Sequence, residues 1–567
     1  MRVTLFRGCY FGVVMKNYFA VGFGVLLASF AWLPACASSS VAVAAAPEVG
    51  TYRAEIAALV EARCTSCHVA GGSAPFALTG YEAVKSMAPS LLASMRARRM
   101  PPWLPAVDCH PIANSRRMDD AEIAKFQTWV ESGTPEGTGD TRRAAAAAAL
   151  SRPFKPNVNA VVPANYLSPD VEDDYRCFIL DTTFPETVYQ VGFQVKPGSA
   201  RVHHALVYAV SGEQLVKAQA ANAKDGQPGY PCFAGVVPGL DPRTDTSGQG
   251  SSLPPLVGGW VPGMQPQLSA EGVGQRIPRG SRLIVQMHYS RLGGKPAADS
   301  TEVQTETTRT EPAQLVRISP LVNFEIPVAA GETKTHTVEY GYYNDTPLTI
   351  LRMAPHMHLL GRVLRADVIS SSGAAACMID IPKWDFHWQQ SYAAPIDKPV
   401  VVKNGESVRL QCTFDNSAEN QPVIDGKKSP PRNIEWGEGT GDEMCLLFAG
   451  SVQPFTKEHE NACDPSRACA AAPRTLQGLF GCATHESACS VCELRGVVSC
   501  AAAACGSQLL AMKKCLTDCA YSAGILGSNL GICLNAKCKD EYAAGASCVD
   551  TVLPGAACTA ELAKCGI

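Results

Sequence analysis

Fourteen cysteines lie between Cys463 and Cys565, out of 24 in the whole chain, and this crowding constrains the fold more than any other feature. Cysteine at about 14% of a segment is the composition of a disulfide scaffold, which needs an oxidising compartment. The even count allows seven disulfides, and sequence does not give their connectivity. Cys489-Ser490-Val491-Cys492 keeps metal binding as the competing reading, although one C-x-x-C among so many cysteines is weak support. Cys515 and Cys519 stand one helical turn apart, so 461–567 is expected to be a small α-helical, disulfide-rich domain.

The N-terminus agrees with export. Lys16 precedes an apolar run from Tyr18 to Leu33 that ends at Pro34-Ala35-Cys36. A charged start, an apolar core and small residues at the cut make 1–36 a secretory signal, with Met15 as an alternative start. Leu33-Pro34-Ala35-Cys36 resembles a bacterial lipobox, which would make Cys36 a lipid-modified N-terminus. Proline inside that box is unusual, and plain cleavage nearby is the alternative. Both readings place the mature protein outside the cytoplasm, in the periplasm or at the cell surface. The lipidated form would be an outer-membrane lipoprotein tethered by its chain rather than spanning. No other stretch reaches the ~18 apolar residues that a spanning helix needs. With a net charge of −3, 18% charged residues and no basic run, nucleic acid is not an expected partner.

A length of 567 residues suggests three or four domains. Within 37–140, Ile56-Leu59-Val60, Leu91-Leu92-Met95 and Ile123-Phe126-Val130 recur at helical spacing, and Asp119-Asp120 offers a helix start. The alanine-rich 141–153 reads as a linker or spacer helix. From Pro153 to Phe455, short alternating apolar runs such as Val202–Val210 and Leu283–His288 are broken by Pro and Gly, the pattern of an all-β region. It is too long for one common sandwich and divides near Thr310–Pro312, giving two β-sandwich domains at 154–310 and 311–460.

Cys64-Thr65-Ser66-Cys67-His68 supplies two thiols on one local turn and an adjacent imidazole, the set that covalent attachment of one haem c requires. His68 would be the proximal iron ligand. Met100, in Arg99-Met100-Pro101-Pro102-Trp103, is the favoured sixth ligand, with Met87, Met95 and Met118 as competitors. The alternatives for the thiol pair are a disulfide, or half of a zinc site completed by Cys109-His110.

Eleven histidines exist, and five of them fall in three compact motifs within the β region: Val202-His203-His204-Ala205, Gln286-Met287-His288-Tyr289 and Pro355-His356-Met357-His358. Residues i and i+2 share a strand face, so His356 and His358 can grip one ion. His203 and His204 would point to opposite faces of a regular strand. They bind one metal only if the backbone is irregular there or if they use different ring nitrogens.

These motifs, with Asp442-Glu443-Met444-Cys445, resemble in order the type II ascorbate-dependent copper monooxygenases, over roughly residues 160–455. The Met-Pro-Pro-Trp stretch and the Ile123–Trp129 helix resemble small cytochrome domains fused to bacterial members. The resemblance implies a small all-α cytochrome c domain, two jelly-roll-like copper sandwiches and the helical tail. It implies two copper ions, one on His203, His204 and His288 that stores an electron, and one on His356, His358 and Met444 where oxygen reacts. It also implies the disulfides Cys177–Cys232 and Cys412–Cys445, and leaves Cys109 and Cys377 without partners.

Three positions depart from the peptide-amidating branch, which binds its substrate's carboxylate through an arginine, an asparagine and a tyrosine. Here the corresponding residues are Ala354, Leu446 and Phe448. A carboxylate buried without partners is costly, so peptidylglycine is not the expected substrate, and a neutral or largely apolar small molecule is. Trp384, Phe386, His387 and Trp388 are weighed as pocket lining against core. The leading expectation is C–H hydroxylation with O2 by two uncoupled coppers, with electrons from an ascorbate-like reductant or an envelope redox protein relayed through the haem. The alternative is a non-catalytic copper-binding or electron-transfer protein. A zinc hydrolase is disfavoured because no H-E-x-x-H is present and methionine is a poor zinc ligand.

Overall fold

A computed structural model describes residues 50–70, 74–113, 115–139, 152–163, 166–232, 235–239, 254–291, 295–424 and 427–455, with isolated positions between 505 and 548. The expected signal 1–36 with Cys36, the linker up to residue 151 and most of the tail lie outside the described residues. Within the tail, Cys505 is bonded to Cys548 and Cys519 to Cys533.

Residues 52–131 form a helical unit. A π-helical turn, Tyr52–Ile56, runs into α1 (Ala57–Arg63), followed by α2 (Tyr81–Arg96) and α3 (Asp120–Glu131). The apolar residues at helical spacing meet in one core containing Ile56, Val60, Leu92, Met95, Phe126 and Trp129. Asp119 caps α3 in a capping box with Glu122, so two orphan N–H groups are satisfied reciprocally.

The first sandwich packs a five-stranded sheet against strands Val158–Val161, Glu302–Thr308, Val188–Lys196 and Val273–Ile277. The order of the five is Tyr230–Pro231, Asp173–Ile179, Arg282–Ser290, Val202–Val210, Leu256–Trp260. Ala205, Val207 and Ala209 enter its core, which turns His204, Leu206 and Tyr208 to the other face. A fourth helix, α4 (Gly212–Asp225), follows strand Val202–Val210.

The second sandwich packs strands Thr333–Gly341, Ser407–Asp415, Gly361–Ile369 and Ala375–Ile381 against Gln314–Asn323, Cys445–Pro454 and Leu348–His356. The chain passes between the halves near Thr310, but the halves share a sheet. Gln314 and Leu315 pair in parallel with Val273 and Gly274, which joins ten strands into one layer among the described residues.

Residues 103–113 leave the helical unit and lie along the second sandwich. Trp103, Leu104 and Ile112 pack on its core. Ala106 N–H donates to the Asp380 carbonyl and Ala113 N–H to the Ala393 carbonyl, both at 2.8 Å. Cys109 is bonded to Cys377 across a separation of 268 residues.

Candidate metal centre

The three histidine motifs converge on one cavity of about 760 Å³ between the five-stranded sheet and the shared sheet. Its walls follow from strand alternation: His204, Leu206 and Tyr208 from one strand, Leu446, Phe448, Gly450 and Val452 from another, and Arg352, Ala354 and His356 from a third.

His203, His204 and His288 place one ligand atom each within 4.8 Å of one another, a set able to hold a metal ion. Register slips between Val202 and His204 where this strand pairs with Arg282–Ser290, so a bulge sits at His203. The extra residue turns both imidazoles to one side, meeting the irregular-backbone condition. His203 Nδ1 lies 3.3 Å from His204 Nδ1, and His288 Nδ1 lies 3.4 Å from the same atom. His288 directs its other nitrogen, Nε2, at the Asp173 carboxylate, 2.7 Å away. Asp173 also accepts from the Thr440 hydroxyl and backbone N–H; against the opposing effect of burial, His288 first and Thr440 after it hold its carboxyl below the usual range, and the contacts fix the ring. Tyr175 stacks on His288, with ring centroids 4.3 Å apart.

His356 and His358 are also held from behind. His356 Nδ1 meets Gln389 Oε1 at 2.7 Å, and His358 Nδ1 meets the Asp442 carbonyl at 3.0 Å, so both Nε2 atoms are left for a ligand. Burial lowers the pKa of His356 to about 4 and of His358 to about 3, and it holds His203 and His204 well below the usual range. Neutral imidazole is the ligating form. Met444 lines the same cavity. The Glu443 carboxylate accepts N–H bonds from His358 at 2.9 Å, Leu360 at 2.6 Å and Met444 at 3.3 Å, and burial pushes its pKa up to about 8. It therefore ties the His358 loop to the Met444 segment.

Disulfides join Cys177 to Cys232 and Cys412 to Cys445. The second anchors the strand that begins next to Met444. The aromatic cluster divides in its roles. Trp384 is core and donates Nε1–H to the His358 carbonyl at 3.0 Å. Phe386 stacks on His203 at 4.7 Å and stands 5.9 Å from the His358 ring, between the two histidine groups. His387 pairs with Asp385. None of residues 384–388 lines the cavity.

Cys64 and Cys67 are free thiols, while the other ten described cysteines are all in disulfides. Because Cys109 is spent on Cys377, the second half of the zinc alternative is lost. His68 Nδ1 lies 3.1 Å from the Phe76 carbonyl. Met100 follows α2, half-buried, whereas Met95 and Met118 belong to the helical core. The Cys67 thiol sits against Gly263, where a Cβ would come within 2.3 Å of Sγ. Around this contact Arg116 donates to Ser66 Oγ at 3.1 Å and to the Gly263 carbonyl at 3.4 Å. Trp260, Val261 and Met264, flanking Gly263, line the cavity.

Sequence reasoning missed Asp173, Tyr175, Gln389, the role of Glu443, the Cys109–Cys377 bond and Arg352. Among these, only Glu443 stood inside a motif.

A search of curated proteins finds no match. Among solved structures, the major capsid protein P2 from Bacteriophage PM2 aligns with 53% of this chain and 99% of that chain, at 8% identity and a TM-score of 0.23, a similarity that carries no argument. Residues 323–463, which hold His356, His358, Met444, Cys412 and Cys445, match the family described as copper type II ascorbate-dependent monooxygenase, C-terminal domain.

Proposed function

We propose that the protein is a copper monooxygenase that inserts one oxygen atom of O2 into a C–H bond of a small, largely apolar substrate. The net reaction is RH + O2 + 2e⁻ + 2H⁺ → ROH + H2O. The observation that carries this reading is the gathering of donors from distant motifs at one apolar cavity: His204, His356, His358 and Met444 line it, and His203 and His288 cluster with His204. A thioether with two imidazoles suits Cu(I), and reduced copper held there supplies the activation of oxygen. His203, His204 and His288 would hold the partner copper, oriented by Asp173. Phe193, Leu206, Leu446 and Phe448 exclude water and receive the apolar body of the substrate.

Two electrons must reach these residues. The donor set of the Cys64–His68 loop fits covalent haem: two thiols left free while the other described cysteines are in disulfides, and a histidine whose Nδ1 is engaged by a carbonyl so that Nε2 is left for a ligand. Met100 is the proposed sixth ligand. Haem bound there supplies single-electron transfer. Because the Cys67 loop rests on the turn that lines the cavity, and residues 103–113 are bonded to the second sandwich, delivery is between docked parts rather than across a free linker. Disulfides among the described residues fit an exported protein. Cys36 lipidation is the proposed anchor, and the helical tail the proposed disulfide domain.

The test is oxygen uptake by the full chain, reduced through its haem. The reading predicts uptake that needs both copper and an added substrate, and that fails with a physiological donor in His68→Ala. Haem oxidation without substrate-dependent oxygen uptake would instead make this an electron-transfer protein.

A further inference from the structure

Arg352 stands out among the cavity residues. Its guanidinium has no hydrogen bond or ion pair among the described residues, although the residue is partly buried and lines the cavity. Desolvation alone lowers its pKa, with no opposing carboxylate. Three glutamines of the lining are spoken for: Gln190 donates to the Val257 carbonyl, Gln275 to Leu256 and Gln286 to Cys232. Glu438 has partners of its own.

The sheet makes room for this side chain. Arg352 pairs in register with Gly450 on one side and Ala393 on the other. A Cβ at Gly450 would stand 3.0 Å from the Arg352 Cβ. Both small residues line the cavity, so the arginine projects into it between two gaps. Arg352, Ala354 and His356 fall at i, i+2 and i+4 on one strand face, placing Arg352 roughly 13 Å along the strand from His356. The wall between them is apolar: Ala354 beside Phe448, and Leu446 beside His356.

A partly desolvated cation without a partner carries a cost, and a ligand anion in the cavity removes it. We propose that Arg352 is an anion-binding subsite, and that the substrate is an apolar molecule with one terminal anionic group, a carboxylate being the simplest. This deepens the monooxygenase reading and rests on it, and it replaces the expectation of a neutral substrate. Its charged end lies well away from the carbon to be oxidised. The amidating branch instead binds its carboxylate at the position held here by Ala354, next to the His356 motif.

The test uses the copper-loaded full chain, with octanoate and octan-1-ol as probes, by calorimetry. The wild type should bind octanoate more tightly than the alcohol. Arg352→Gln should weaken octanoate by about 30-fold or more, the loss expected when a buried charge pair loses one member, while leaving octan-1-ol within about twofold. Arg352→Lys should retain the preference for the acid. Should the glutamine variant fail to fold, the wild-type and lysine comparisons decide. Equal wild-type affinity for acid and alcohol, or octanoate binding untouched in Arg352→Gln, would overturn the subsite. Oxygen uptake separates the two ideas. Octanoate bound through Arg352 without copper-dependent uptake overturns the monooxygenase and leaves the subsite standing. Copper-dependent uptake with octan-1-ol and none with octanoate does the reverse.

Discussion

The rings of His204 and His356, carried by strands of different sandwiches, lie 6.1 Å apart between centroids. Two cations held by these groups repel each other at short range. Copper(II) titration should therefore show two unequal steps. His356→Ala should abolish the weaker step and leave the tighter one, as read by calorimetry with metal analysis. Two equal, independent steps would contradict the arrangement.

Asp173 orients His288 through Nε2 and is itself held by Thr440. Second partners of this kind tune affinity by about 10- to 100-fold. Asp173→Asn should weaken copper at His203, His204 and His288 by that amount without altering the content of the His356 group, measured by chelator competition.

Histidine burial sets a pH dependence for the metal-free protein. His356 and His358 titrate at about 4 and about 3 when folded, against 6.5 for an ordinary histidine. Below 6.5 the unfolded chain binds protons that the folded chain refuses, so stability falls as pH drops from 6.5 toward 4. Glu443 works in the opposite sense. Raised to about 8, it contributes stability that is complete below the ordinary carboxylate range and is lost as pH rises through 8. The four histidines whose pKa is lowered, His203, His204, His356 and His358, outweigh it below 6.5. Denaturant midpoints of the chelated protein should drop between pH 6.5 and 4.5, and less so in His358→Gln. A flat profile would contradict these burials.

The contact of Cys67 with Gly263 and the Cys109–Cys377 bond hold the helical unit to the sandwiches. Gly263 has φ +82°, so a side chain there is strained and also meets the thiol. Gly263→Val and Cys109→Ser should each slow reoxidation of reduced haem by copper, followed optically, with haem and copper content unchanged. Cys109→Ser should also lower stability by about 2–5 kcal/mol.

Much of the centre was legible because it is written in short motifs. His356 and His358 were legible as a His-x-His motif, although the strand ends at His356 and His358 stands on the loop after it. His203 was legible conditionally: its role required a bulge that no local residue announces. The helices of 52–131 followed from apolar spacing and the Asp119 cap. Cys109 and Cys377 were not legible, since a bond spanning 268 residues leaves no local trace. Nor was Arg352. A lone arginine on a strand reads as a solvated residue, and a register slip between Ile350 and Arg352 lies beside it. Only the pairing with Gly450 and Ala393 shows that it faces inward. The shared sheet was hidden for a similar reason, because two residues of parallel pairing at Gln314 and Leu315 carry it.

Metal and haem analysis of the purified full chain tests the central claim most directly. The account predicts two coppers and one covalent haem per chain, with copper lost stepwise in His288→Ala and His356→Ala. Zinc or no metal at these histidines, in protein whose disulfides are intact, would contradict it.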